Sequence, residues 1–91
     1  MQKNAIMTFL SILATIFGIL MGLGNLPQAL KIFRRKSAKD ISIITYATLL
    51  IGSAIWVLYG IETQNFAIII SNASGFICLL FIVIGWNIYG R

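Results

Sequence analysis

The sequence predicts an all-α membrane protein, a single domain of three transmembrane helices filling residues 1–91. Three observations carry that expectation. Apolar residues make up 59% of the chain and charged residues 10%, against about 45–50% and about 25% in soluble domains. A soluble chain this short exposes much of its surface and needs polar side chains to cover it. Residues 4–30, 41–61 and 63–90 carry no Asp, Glu, Lys or Arg and run for 27, 21 and 28 residues. A spanning helix takes about 20 mostly apolar residues, so each stretch holds one crossing and none holds two. In lipid the backbone must satisfy itself, which makes the crossings helical.

The expected spans are 5–27, 41–61 and 66–88, joined by short connectors. The first apolar run far exceeds the ~7–15 residues of a signal-peptide core and lacks a clear A-x-A site, so a retained helix is expected. Lys31, Arg34, Arg35, Lys36 and Lys39 crowd the first connector, 31–40, whereas the second has no Lys or Arg. Basic loops stay on the cytoplasmic side. A multi-pass protein of the cell (inner) membrane is therefore expected, N-terminus outside and C-terminus cytoplasmic, with Lys3 the one mild dissent. The basic cluster also fits phosphate or anionic lipid, although topology alone accounts for it. Ser37 and Asp40 form an S-x-x-D capping pattern expected to start the second crossing.

The residue inventory excludes several chemistries. The chain has no His and one Cys, Cys78, so His-ligated metal sites, Ser-His-Asp triads and an intrachain disulfide are absent. Neither cofactor nor metal is expected. Asp40 and Glu62 are the only carboxylates, and both fall at ends of crossings. Nucleic acid is not an expected partner, because the basic loop is short and apposed to lipid. Cys78 reads as a small packing residue.

Three helices close around little more than their own side chains. A polar pathway walled from lipid therefore implies an oligomer, most simply a parallel homodimer with six helices around a central axis. Helical spacing places Thr45, Thr48, Gly52, Trp56 and Tyr59 on one face of the second crossing. Asn65, Asn72, Gly75, Leu79 and Trp86 share a face of the third, and Ser11, Ala14, Gly18, Gly22 and Asn25 form a small-residue face on the first. Gly18 and Gly22 make a GxxxG pattern, which by itself means close helix packing.

Asn72 falls near mid-membrane, where an unpartnered amide costs several kcal/mol. Two roles are open to it: an interhelical hydrogen bond, worth ~0.6 to 2 kcal/mol, or an amide that reads hydroxyl groups. Trp56 is similarly divided between packing, a deep belt position, and a flat surface on which C–H faces stack. Together the indole and the amide suit a carbohydrate. Pro27 removes one amide donor and displaces the carbonyl of Leu23. It marks either the end of the first helix or a hinge within it.

Pro27-Gln28, followed by a basic stretch running Lys36, Ser37, Ala38, Lys39, Asp40, Ile41, Ser42, resembles the PQ-loop signature. With Tyr46, Gly52, Trp56 and Tyr59-Gly60 in order, then Ser71-Asn72-Ala73, the whole chain resembles the SemiSWEETs, half-sized bacterial sugar transporters of the SWEET/PQ-loop family. The resemblance implies a parallel homodimer of three-helix bundles, the third helix lying between the first and second. It implies substrate contacts at Trp56 and Asn72, an outer gate at Tyr59 and a hinge at Pro27 and Gln28; Thr48, Gly52 and Gly75, on the same helical faces as Trp56 and Asn72, are expected to line the pocket. Relatives often close the outer gate with a charged pair; here Thr63 and Asn65 stand in that region, with Glu62 the only charge.

The expected function is facilitated diffusion (uniport) of a mono- or disaccharide by alternating access, with no covalent chemistry and so no enzyme. Its partners are sugar, a second copy and membrane lipid. The alternatives are a non-transporting assembly or regulatory subunit, and a small-molecule exporter. An exporter of hydrophobic cations would need a membrane-embedded acid, which the chain lacks.

Overall fold

The computed structural model describes residues 9–90, which form α1 (Phe9–Leu23), α2 (Leu26–Arg35), α3 (Ile43–Glu62) and α4 (Phe66–Tyr89). Residues 5–8 of the first expected span, together with Lys3 and Arg91, lie outside the described residues. Among the described residues, three stretches are long and apolar enough to cross a membrane: Phe9–Arg35 (α1 and α2 together), Ile43–Glu62 and Phe66–Tyr89. The fold is thus the all-α, three-crossing membrane bundle expected.

The first crossing is broken. The Gly24 amide is shared between the carbonyls of Leu20 (2.9 Å) and Met21 (3.2 Å), and Asn25 N donates to Gly22 O at 3.3 Å. The spiral tightens for one turn, then resumes with Ala29 N donating to Asn25 O at 3.1 Å. Pro27 sits in the first turn of α2, where its missing N–H costs least. A side-chain-free glycine and a donor-free proline three residues apart account for the interruption.

Beyond the break the helix continues further than expected. Lys31, Arg34 and Arg35 are helical, and the chain leaves the helix only at Lys36, whose left-handed backbone (φ 55°) returns its N–H to Ile32 O. The loop expected at 31–40 therefore starts at residue 36. Two side chains outweigh the charge run: Ala29 and Ile32, three residues apart, are both buried in the core. A Cβ on Gly85 of α4 would stand 2.7 Å from Ile32 Cγ2 and 3.2 Å from the Phe33 ring. A side chain there would lift α2 off α4.

The cap of the second crossing also differs from the expected Ser37. The N-cap of α3 is Ser42, whose hydroxyl accepts from Thr45 N at 3.3 Å. Ser37 follows the end of α2 instead, its amide donating to Ile32 O at 3.2 Å. A cap must immediately precede the first helical residue, and the fully buried Ala38 holds the intervening turn inside the core. Asn65 belongs to a cap as well: its side-chain oxygen accepts from Ile68 N at 3.2 Å and starts α4.

Helix α4 packs against α1, α2 and α3 and so occupies the centre of the bundle. Ala29, Ile32, Ala38, Leu79 and Ile82 form the buried core, with Ile41, Tyr46, Leu50, Trp86 and Tyr89 around it. That core gathers toward the α2 end. Halfway along the first crossing the packing is by backbone: a Cβ on Gly22 would lie 2.7 Å from Gly75 N and 2.9 Å from Ser71 O. Lipid supplies no hydrophobic force between helices, so close approach of this kind is what holds them.

Candidate functional site

Between α1 and α3, floored by α4, runs an open cleft of about 680 Å³. The volume lies within the roughly 300–1,000 Å³ of small-molecule sites. Gly18, Met21, Gly22 and Asn25 line it from the first crossing; Thr48, Leu49, Gly52, Ser53 and Trp56 from α3; Ser71, Asn72, Gly75 and Leu79 from α4. None of these residues is charged, and among the described residues no cluster of three His, Cys, Asp or Glu could hold a metal.

The wall is mostly apolar, and its hydroxyls are satisfied by their own helices. Thr48 Oγ1 donates to Ile44 O at 2.7 Å, Ser53 Oγ to Leu50 O at 2.9 Å and Ser71 Oγ to Ala67 O at 2.7 Å. Each hydroxyl spends its proton on its own helix and keeps only acceptor capacity for the cleft. Asn72 differs. One N–H of its amide donates to Ile68 O at 3.0 Å, which leaves a second N–H and the carbonyl oxygen without partners among the described residues. The amide bonds its own helix, not a neighbouring helix of the same chain. Interhelical packing within one bundle therefore does not explain it.

Trp56 is about half exposed, with its ring edge-to-face against Tyr59 at a centroid separation of 5.6 Å and an interplanar angle of 88°. An aromatic residue one turn away thus fixes the indole plane at the cleft. Above it, Thr63 Oγ1 donates to Tyr59 O at 2.9 Å. Thr63 and Asn65 both serve helix ends, Thr63 closing α3 and Asn65 opening α4. Gly52, one turn below Trp56, has nothing within 4 Å of an added Cβ. It opens space in the cleft rather than admitting a helix.

Several residues named from the sequence lie elsewhere. Trp86 joins the rim of the core, Thr45 hydrogen-bonds Ser42, and Asn65 caps α4. Pro27 borders a separate groove on α2, and Gln28 lines a small polar notch beside the loop. Four further residues line the cleft without having been expected there: Met21, Leu49, Ser53 and Ser71, the last named only within the Ser71-Asn72-Ala73 motif. Ser71 had a usable signal, since it lies four residues before Gly75 on the face that meets Gly18. Met21 and Leu49 had none, being apolar residues in apolar helices.

Fold and cleft together define a polytopic helical membrane protein with a solute-sized, uncharged cleft open along one side. A family model described as "Sugar efflux transporter for intercellular exchange" matches residues 8–91. The chain belongs to that family, one of transporters rather than enzymes. It is 36% identical over 47 residues to the sugar transporter SemiSWEET of Bradyrhizobium diazoefficiens, covering 52% of this chain and 55% of that one. It is 37% identical over 46 residues to the SemiSWEET of Escherichia coli strain UMEA 3162-1, covering 50% and 52%. The matched stretch thus spans about half the length of each. An uncharacterised protein of Methanocaldococcus jannaschii is 30% identical over 63 residues, 69% of this chain and 68% of that one. A crystal structure of a bacterial homologue of SWEET transporters superposes with a TM-score of 0.84 at 29% identity, covering 91% of this chain and all of the other.

Proposed function

We propose that two copies of this chain pair in parallel about an axis along the membrane normal and carry a mono- or disaccharide between their facing clefts. The observation that carries this is the cleft itself: open along one side, uncharged, with Trp56 and the half-satisfied Asn72 on its wall. Family membership supports sugar as the cargo. A sugar offers C–H faces that stack on an indole and hydroxyls that both donate and accept. Asn72 can answer a hydroxyl with its remaining N–H and its carbonyl oxygen, while Thr48, Ser53 and Ser71 offer acceptors.

Alternating access needs the two ends to open in turn. Tyr59, braced against Trp56, is placed to close the outer end. The break at Gly24–Asn25, with Pro27 just beyond it, divides the first crossing so that α2 can swing while α1 holds its place on α4. Gln28 travels with α2. Proton coupling ordinarily uses an ionisable group at membrane depth, and the cleft has none, so flux runs downhill as uniport. The basic loop supports a cytoplasmic C-terminus in an inner membrane. Uptake of a panel of labelled mono- and disaccharides into proteoliposomes tests the reading. Saturable flux of at least one sugar is expected, and flux no faster than in empty vesicles for every sugar overturns it.

A further inference from the structure

The amphipathic second half of the first crossing carries two cavities that the transport cleft does not use. One is a groove of about 510 Å³ lined by Leu23, Leu26, Pro27, Leu30, Lys31, Arg34 and Arg35. The other is a notch of about 120 Å³ whose lining includes Gln28, Lys31, Arg35, Ser37 and Lys39. They adjoin, because Lys31 and Arg35 line both. From the structure we infer that they form one binding site for an anionic phospholipid. The acyl chain lies along Leu23, Leu26 and Leu30, and the phosphate rests between Lys31 and Arg35.

Position supports this first. The span Phe9–Arg35 has 27 residues, which at 1.5 Å per residue is about 40 Å of helix against a hydrocarbon core of about 30 Å. Its last turns therefore reach the headgroup layer, while Leu23 and Leu26 stay at acyl depth. Charge supports it second. Among the described residues no ion pair ties Lys31, Arg34, Arg35 or Lys39 to a carboxylate, and the notch holds one acid, Asp40, against three cations. A second copy of the chain could not neutralise this stripe, having two acids for seven Lys and Arg. An anionic headgroup does, and juxtamembrane cations attract such lipids. Bound there, the lipid would grip the segment beyond the helix break.

Native mass spectrometry of the full chain, extracted from vesicles of phosphatidylcholine with phosphatidylglycerol, reads out the site. Wild type is expected to retain phosphatidylglycerol over phosphatidylcholine by several-fold, and Lys31→Gln and Arg35→Gln should each lose most of that preference. Lys36→Gln is the internal control, since Lys36 lines neither cavity and its removal lowers the net charge equally. Retention unchanged in Lys36→Gln supports a defined site; equal losses in all three variants mean diffuse attraction and overturn it. Inorganic phosphate displacing the lipid at millimolar concentration would show a free-anion site instead. Circular dichroism of each variant separates lost binding from lost fold.

Discussion

Gly22 and Gly75 face each other across the α1–α4 crossing, and the fit is asymmetric. A Cβ on Gly22 would lie 2.7 Å from Gly75 N, whereas a Cβ on Gly75 would meet Gly22 Cα at an ordinary 3.5 Å. The obstacle to Gly22→Ala is backbone, which cannot rotate away. We expect Gly22→Ala to destabilise the bundle by about 1–3 kcal/mol, the usual range for overpacking, and Gly75→Ala to cost clearly less. Denaturation in detergent micelles checks this, and equal costs would contradict the asymmetry.

Gly52 behaves differently from either. Nothing lies within 4 Å of its added Cβ, so Gly52→Val should fold without loss, valine being more favourable than glycine in a helix by a few tenths of a kcal/mol. The new side chain occupies the cleft below Trp56. Flux should fall, more for a disaccharide than for a monosaccharide, while thermal stability stays near that of wild type. A variant that transports both sugars normally would remove Gly52 from the path.

Ser42, not Ser37, starts α3. Ser42→Ala should therefore cost about 1 kcal/mol, the usual value of an N-cap hydroxyl, and Ser37→Ala should cost less. Comparing the two in one denaturation series is sufficient, and a reversed order would refute the capping assignment.

An uncharged cleft predicts indifference to protons. With a sugar at equal concentration on both sides, an imposed pH gradient should produce no accumulation, because no Asp, Glu, Lys or Arg lines the cleft. Accumulation that follows the gradient would require a proton carrier the cleft does not show.

Much of this architecture is readable in the sequence because lipid leaves few choices: uncharged stretches of 21 residues or more must be helical, and their number sets the crossings. Thr48, Gly52 and Trp56 of one stripe line the cleft, as do Asn72, Gly75 and Leu79 of another, but Thr45 and Tyr59 of the first do not. Periodicity identifies a face but not what the face meets, and Trp86 and Asn65 show the difference. Both share the stripe of Asn72, yet one packs on the core and the other caps α4. The helical character of 31–35 was hidden by its charges, although Ala29 and Ile32 at a spacing of three carried the signal. Ser71 and Ser53 were obscured because a hydroxyl in an apolar helix usually bonds its own backbone, as both of these do.

The central claim, that Trp56 and Asn72 contact sugar in one cleft, is tested most directly by fluorescence. In a Trp86→Phe background Trp56 is the only indole. A transported sugar should change its emission saturably, and adding Asn72→Ala should weaken that titration by roughly tenfold, the equivalent of about 1.4 kcal/mol. Emission unaffected by a sugar that the same protein demonstrably carries would contradict the account.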